Sequence, residues 1–286
     1  MLRDDALSGR VALITGGGSG LGLSMAERFL GLGARIALVG RSGERLARAT
    51  ERLSGSDRVS AHAADVRDPE AVAAAVAEAF ARHGAVDIVV NNAAGNFLAP
   101  SEDLSANAFD AVVRTVLHGT FHVTQAVARR WIAGGRGGSV LNILTTYAWT
   151  GSAFVLPSAA AKAGVLALTR SLAVEWADYG IRVNAIAPGP FPTEGAWQRL
   201  LPTAELEQAS LARIPARRFG EHRELAELAA FLVCDAAPYI TGECVTIDGG
   251  GWLAAGGLFN GLTRMPRPEL KAKLAALRPT KPQPPA

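Results

Sequence analysis

Cysteine is nearly absent: the 286 residues contain two, Cys234 and Cys244. That is too few for a disulfide framework or a cysteine-built metal cluster, and the scarcity fits a reducing cytosol. Long apolar runs are missing too, and none approaches the roughly 20 residues that a membrane span requires. The opening residues, Met1-Leu2-Arg3-Asp4-Asp5, carry charge and no apolar h-region. Neither a secretory signal nor a transit peptide is therefore expected, and the expected location is cytoplasmic. Charge imbalance is slight, at a net +3 with much of the positive excess after Met265, and gives no argument for nucleic-acid binding. Internal repeats are lacking. What the chain does have is apolar side chain, 49% of residues against 19% charged, the balance of a packed globule rather than a disordered chain.

Strand-like and helix-like segments alternate from Val11 to about Ile247, as a doubly wound parallel sheet requires. The expected strands are Val11–Ile14, Arg35–Val39, Val59–His62, Ile88–Asn91, Ser139–Ile143, Arg182–Ala187 and Val245–Ile247. In Glu70–Arg82, the residues Ala71, Val72, Ala75, Val76, Ala79 and Phe80 recur at the spacing of one buried helix face. No composition break marks a second domain. The expectation is one seven-stranded sheet with helices on both faces across residues 10–251, after an extension at 1–9 and before another at 252–286. The final stretch, Pro279–Ala286, is proline-rich and expected to fray.

The most informative stretch follows the first strand: Thr15-Gly16-Gly17-Gly18-Ser19-Gly20-Leu21-Gly22, leading into a helical pattern. Strand, glycine turn and helix bring backbone N–H groups and a helix N-terminus up to a phosphate, and glycine lets the backbone approach closely. The strict G-x-G-x-x-G spacing is absent; here it is G-x-x-x-G-x-G. The second strand runs into Gly40-Arg41 with no carboxylate for an adenosine 2′-hydroxyl. A guanidinium there suits a 2′-phosphate, so NADP is expected over NAD. Asp65, after the third strand, either caps an adenine amino group or serves as a helix N-cap or turn aspartate. The fourth strand runs into Asn91-Asn92-Ala93-Ala94-Gly95-Asn96-Phe97, whose small residues let a flat ligand lie on the backbone. Tyr147 lies just past the fifth strand, where it either faces the crevice or packs.

Thr15–Gly22, Asn91–Gly95, Pro188-Gly189-Pro190 and Asp248-Gly249-Gly250 together resemble the ordered motifs of the short-chain dehydrogenase/reductase family. The resemblance spans Val11 to about Gly251 and implies a Rossmann-type fold, a nicotinamide cofactor and a homotetramer. Most members carry Tyr-x-x-x-Lys, with a serine thirteen residues before the tyrosine. This chain keeps Lys162 but has Ser158 at the tyrosine position and Thr145 at the serine position. A serine hydroxyl is a far poorer proton donor than a phenol, whose ordinary pKa is about 10.

Asn91–Phe97, Thr145–Tyr147 and Phe154–Val165 resemble more narrowly the 2,4-dienoyl-CoA reductase branch, in its tyrosine-containing mitochondrial type. So does Pro188-Gly189-Pro190 with Gly195-Ala196 and Arg199-Leu200. That branch implies NADPH reduction of a conjugated dienoyl thioester to a trans-3-enoyl thioester in unsaturated fatty-acid β-oxidation. By resemblance, Tyr147 and Asn96 hold the thioester oxygen, Lys162 binds the nicotinamide ribose, and Ser158 assists. The implied NADP(H) contacts are Gly16, Gly18, Ser19, Gly20, Leu21, Gly22, Arg41, Asp65, Val66, Asn92, Ala93, Lys162, Pro188, Gly189, Pro190 and Phe191. Arg67, Phe97, Ser105 and Arg199 are implied for the acyl-CoA, with a surface role open for either arginine and a core role open for Phe97. Pro192–Leu211 reads as a loop-plus-helix lid. His118 stands where members usually place asparagine and is left out of the site. The chain does not end in Ser-Lys-Leu. Two other readings stay open: a related reductase of another enoyl or 3-oxoacyl thioester, and a non-catalytic NADP-binding sensor.

Overall fold

The computed structural model describes residues 2–53, 57–193, 197 and 203–276. Seven parallel strands form one sheet: β1 (Val11–Thr15), β2 (Arg35–Gly40), β3 (Val59–Ala63), β4 (Ile88–Asn91), β5 (Gly138–Ile143), β6 (Ile181–Pro188) and β7 (Cys244–Ile247). Their spatial order is β3-β2-β1-β4-β5-β6-β7, and every pairing is parallel. The expected strands all form, six of them longer by a residue at one or both ends. The order reverses between β1 and β4, which opens a crevice beyond their carboxyl ends.

The central strands β1 and β4 are buried at every position because both sheet faces are covered. Alternation sends Ala12 and Ile14 of β1 into one core and Val11 and Leu13 into the other. The first core takes Met25, Ala26 and Phe29 from α1 (Gly20–Gly31). The second takes Val72, Ala75, Val76 and Ala79 from α3 (Pro69–His83), which follows α2 (Gly43–Arg52). Asp68 caps α3 by accepting from Glu70 and Ala71 N–H, and Pro69 fits the first turn, where its missing N–H costs nothing. Beyond β4 come α4 (Ala106–Val113), a wider π turn at Arg114–His118 and α5 (Gly119–Ala133). The short α6 (Tyr147–Thr150) and the long α7 (Leu156–Glu175) follow β5. After β6 lie α8 (Ala204–Arg213) and α9 (His222–Val233); after β7, α10 (Gly251–Gly256) and α11 (Arg267–Ala276). The amino-terminal residues join the domain: Leu7 is fully buried, and its N–H donates to the Leu32 carbonyl at 3.0 Å. The expected fraying of Pro279–Ala286 lies outside the described residues.

A buried polar chain crosses the middle. Asn91 Nδ2 donates to Thr124 Oγ1 (2.8 Å) and to Asn142 Oδ1 (2.9 Å), and Asn142 Nδ2 donates to Thr169 Oγ1 (2.8 Å). At the β3 edge a second polar set links strand to helix. His62 Nδ1 faces the Glu78 carboxylate at 3.0 Å and so carries the proton. Its Nε2 then accepts from the Ser60 hydroxyl, which leaves Ser60 Oγ to accept from His83 Nε2–H, both at 2.8 Å. Burial, aided by the positive charge of Arg82, lowers the His83 pKa. The folded state therefore binds a proton less readily than the unfolded chain, so stability falls as pH drops through the unfolded value of about 6.5. His83→Gln is expected to flatten that dependence, as followed by melting temperature between neutral pH and pH about 5; an unaltered slope would remove His83 as its source.

Candidate active site

The hydroxyl of Thr15, at the end of β1, organises the turn that follows. It donates to the Val90 carbonyl at 3.3 Å and accepts from the backbone N–H groups of Asn92 and Ala93, each at 3.0 Å. The Asn92 amide donates in turn to the carbonyls of Thr15 (3.1 Å) and Gly16 (3.3 Å). Gly16 has φ +63°, and a Cβ on Gly22 would stand 2.5 Å from both Asn92 Nδ2 and the Gly16 oxygen. Only hydrogen fits at Gly22. Asn92, expected at the nucleotide, thus has its side chain committed to bracing the turn.

α1 opens at Gly20 directly behind this turn. Its N-cap, Ser19, makes no side-chain cap bond, and no acidic residue occupies the first turn. An uncapped helix N-terminus beside Gly18, Gly20 and Leu21 offers open donors and partial positive charge, the features a diphosphate requires. Arg41 stands exposed just past β2.

Asp65 and Arg67, expected on separate ligands, are bound to each other. Arg67 Nε lies 2.9 Å and Nη2 2.6 Å from Asp65 Oδ2, and the Arg67 N–H donates to Asp65 Oδ1 at 3.0 Å. Hydrogen bonding from Arg67, with a smaller contribution from the Arg41 charge, holds the Asp65 carboxyl below its ordinary range. Val66 is buried, and its carbonyl accepts from His122 Nδ1–H at 3.0 Å. Ser105 is the N-cap of α4 and accepts from Ala108 N–H at 3.2 Å, so a cap occupies the group expected on the substrate. Phe97 is half-buried and packs against a small apolar cluster that includes Val112, Val116 and Leu144. Arg199, Gly195, Ala196 and Leu200 lie outside the described residues, as does much of the expected lid; its described part includes α8.

At the end of β6, Gly189 N–H donates to the Ile247 carbonyl (2.9 Å), and the Pro190 carbonyl accepts from Gly220 N–H (3.1 Å). Phe191 departs from expectation. Its side chain is buried in the first core with the ring close over Gly220, which leaves backbone alone for the crevice.

The four residues expected to carry chemistry gather beyond β4 and β5. Asn96 Oδ1 accepts from Phe97 N–H at 2.9 Å, which orients the amide so that Nδ2 donates to Tyr147 Oη at 3.2 Å. Tyr147 Oη also lies 3.0 Å from Ser158 Oγ. Burial raises the Tyr147 pKa, while hydrogen bonds with Ser158 and Thr145 pull the other way. Lys162 lies one turn along α7 from Ser158, buried, with Nζ donating to the Ile143 carbonyl. Burial brings its pKa down to about 8. Sequence reasoning took Thr145 only as the occupant of a serine position and missed its bond to the phenol; its place at the end of β5 was the available signal.

The geometry is that of a dinucleotide-binding α/β protein with a hydroxyl cluster and a buried lysine at the sheet's carboxyl edge. Residues 16–251 match the family model described as Enoyl-(Acyl carrier protein) reductase. A Bacillus subtilis (strain 168) protein named "Probable 2,4-dienoyl-CoA reductase", (2E)-enoyl-CoA-producing, is 44% identical over 85% of this chain and 97% of its own. The Danio rerio "Peroxisomal 2,4-dienoyl-CoA reductase", (3E)-enoyl-CoA-producing, is 40% identical over 88% of this chain and 84% of its own. Among solved structures, a gluconate 5-dehydrogenase from Burkholderia cenocepacia J2315 in complex with NADP and tartrate superposes with a TM-score of 0.81. It is 36% identical, with 87% of this chain and 98% of that one covered. The chain belongs to the short-chain dehydrogenase/reductase family, in its 2,4-dienoyl-CoA reductase branch.

The expected cytoplasmic location does not stand. The Danio rerio relative and others from Pongo abelii, Arabidopsis thaliana and Rattus norvegicus are named peroxisomal enzymes. Scarce cysteine marks a reducing milieu, which is not peculiar to the cytosol.

Gly22→Ala is expected to lower unfolding free energy by about 1–3 kcal/mol through overpacking, measured by urea denaturation. Stability equal to the parent would mean that the turn yields freely.

Proposed function

We propose that the chain is an NADPH-dependent 2,4-dienoyl-CoA reductase, acting on conjugated dienoyl thioesters of unsaturated fatty-acid β-oxidation and yielding the trans-3-enoyl product. The observation that carries this reading is the cluster of Tyr147, Asn96 and Ser158 one helical turn from Lys162. When bound, NADPH supplies the hydride for the δ-carbon. The glycine turn and uncapped α1 fit its diphosphate, and Arg41 its 2′-phosphate. Asp65 and Val66 are assigned to the adenine end, and the Pro188–Phe191 backbone and Lys162 to the nicotinamide end. The NADP-bound Burkholderia relative supports the cofactor.

Negative charge arriving on a dienoyl thioester collects on the carbonyl oxygen, and the site's task is to hold it. Tyr147 Oη accepts from Asn96, so its own hydrogen is free to point at Ser158 or at that oxygen. A buried phenol with a raised pKa stays protonated and serves as donor. Asn96 offers a second donor, and the Lys162 ammonium adds nearby positive charge. Water then protonates the α-carbon, which sets the 3-enoyl product. Phe97 and the exposed Leu98 and Phe154 offer apolar surface for the acyl chain; the loops are tied by Ala99 N–H donating to the Phe154 carbonyl at 3.0 Å. Arg67 and Arg199 are assigned to the CoA phosphates, and residues 10–251 to the catalytic unit. A homotetramer is part of the proposal, supported by Phe121 on α5 and Val174 on α7, which stand 42% and 82% exposed.

The test is NADPH consumption with trans-2,trans-4-hexadienoyl-CoA against acetoacetyl-CoA, with the product's double bond located. Consumption with the diene alone and a 3-enoyl product are expected; consumption with the ketone alone would overturn the reading. Tyr147→Phe is expected to lower turnover about a hundredfold or more while leaving NADPH affinity nearly unchanged.

A further inference from the structure

His222, the first residue of α9, is remote in sequence from every motif above, yet it joins two segments that meet at the nucleotide crevice. Its Nε2 lies 2.6 Å from the Pro192 carbonyl, and its Nδ1 lies 2.8 Å from Ser24 Oγ. A carbonyl only accepts, so Nε2 carries the hydrogen. In the neutral ring Nδ1 is then the acceptor and the Ser24 hydroxyl the donor. Ser24 sits one turn into α1, with Oγ 3.2 Å from the carbonyl of Gly20, where the phosphate-facing end of that helix begins. The single Ser24 hydrogen serves either His222 Nδ1 or the Gly20 carbonyl, so the polar contacts run from Pro192 through His222 to Ser24, which lies beside the start of α1.

The next residue, Thr193, leans on the same glycine: its Cγ2 stands 3.4 Å from where a Cβ on Gly20 would lie. The helix α9 is itself held firmly. Glu221 and Glu224 form a reciprocal capping box, and α9 packs along α1 through Leu225, Ala226 and Ala229, all buried in the first core. The imidazole therefore projects from a fixed helix end onto a segment that has no regular secondary structure at Pro192–Thr193.

We propose that His222 is a positioning residue for the cofactor. By holding the Pro192 carbonyl, it sets Pro192–Thr193 against Gly20 and so fixes the width of the slot between the end of β6 and the start of α1. This inference rests on the assignment of NADP(H) to that crevice. His222 touches no reacting atom, and its removal acts on nucleotide affinity rather than on turnover at saturating cofactor.

Direct titration of NADP+ by calorimetry tests it, on the full chain and on three variants. His222→Ala is expected to weaken NADP+ binding about fivefold, the effect of one lost hydrogen bond. His222→Gln, whose amide N–H can reach the same carbonyl, is expected to stay within about twofold of the parent, and Ser24→Ala to fall between. The KM for NADPH is expected to follow these affinities while kcat holds. Parent-like affinity in His222→Ala, or equal losses in His222→Ala and His222→Gln, would overturn the proposal. A parent chain that binds acyl-CoA but no NADP+ would overturn the cofactor assignment beneath it.

Discussion

The chain of hydroxyls and amides running Thr124–Asn91–Asn142–Thr169 is the constraint on which the rest depends. It lies wholly within the interior, where an unpaired amide is costly and a fully paired network is rigid. Its four members come from α5, β4, β5 and α7, so satisfying them sets those elements in a single relative register. Asn91 is the last residue of β4, and the loop bearing Asn96 leaves from it. Thr169 lies on the same helix as Ser158 and Lys162. Positions that must agree closely for chemistry are therefore inherited from a hydrogen-bond requirement deeper in the fold.

Charge and burial divide the work within the cluster. Lys162 is buried, and the loss of solvation weakens its hold on its proton and brings its pKa down to about 8, while its bond to a backbone carbonyl favours the charged ammonium. The phenol of Tyr147 experiences the same burial with the opposite consequence, since desolvation disfavours its charged form and keeps its hydrogen in place. With Ser158 in the position that tyrosine usually holds, the proposed donor, Tyr147, comes from a short helix after β5. The carbonyl oxygen of a thioester then needs only hydrogen bonds at the moment charge arrives.

Much of this was legible in the chain itself. Val11–Ile14 followed by the glycine turn, the periodicity of Glu70–Arg82, and Tyr147 after an apolar strand all report local rules that tertiary packing did not override. What was not legible depends on direction. Asn92 and Phe191 are expected at the crevice from their places along the chain, but the amide of one turns back to the glycine turn and the ring of the other drops into the core. Asp65 and Arg67 were assigned to different ligands, although residues two apart in a turn bring their side chains together. Ser105 reads equally as a contact or a cap until the helix behind it is seen to start there. His222 left no signal, because its partners stand about 200 and 30 residues away and meet only when α9 lies beside α1.

The bonds from Thr15 and Asn92 hold the glycine turn in shape by the protein's own contacts alone. Its mould is set during folding, so a dinucleotide entering it orders little backbone. The entropy that a loose phosphate loop surrenders at each encounter has already been lost once, when the sheet formed. Such a protein can bind, release and rebind its coenzyme at every turnover without rebuilding the cradle each time.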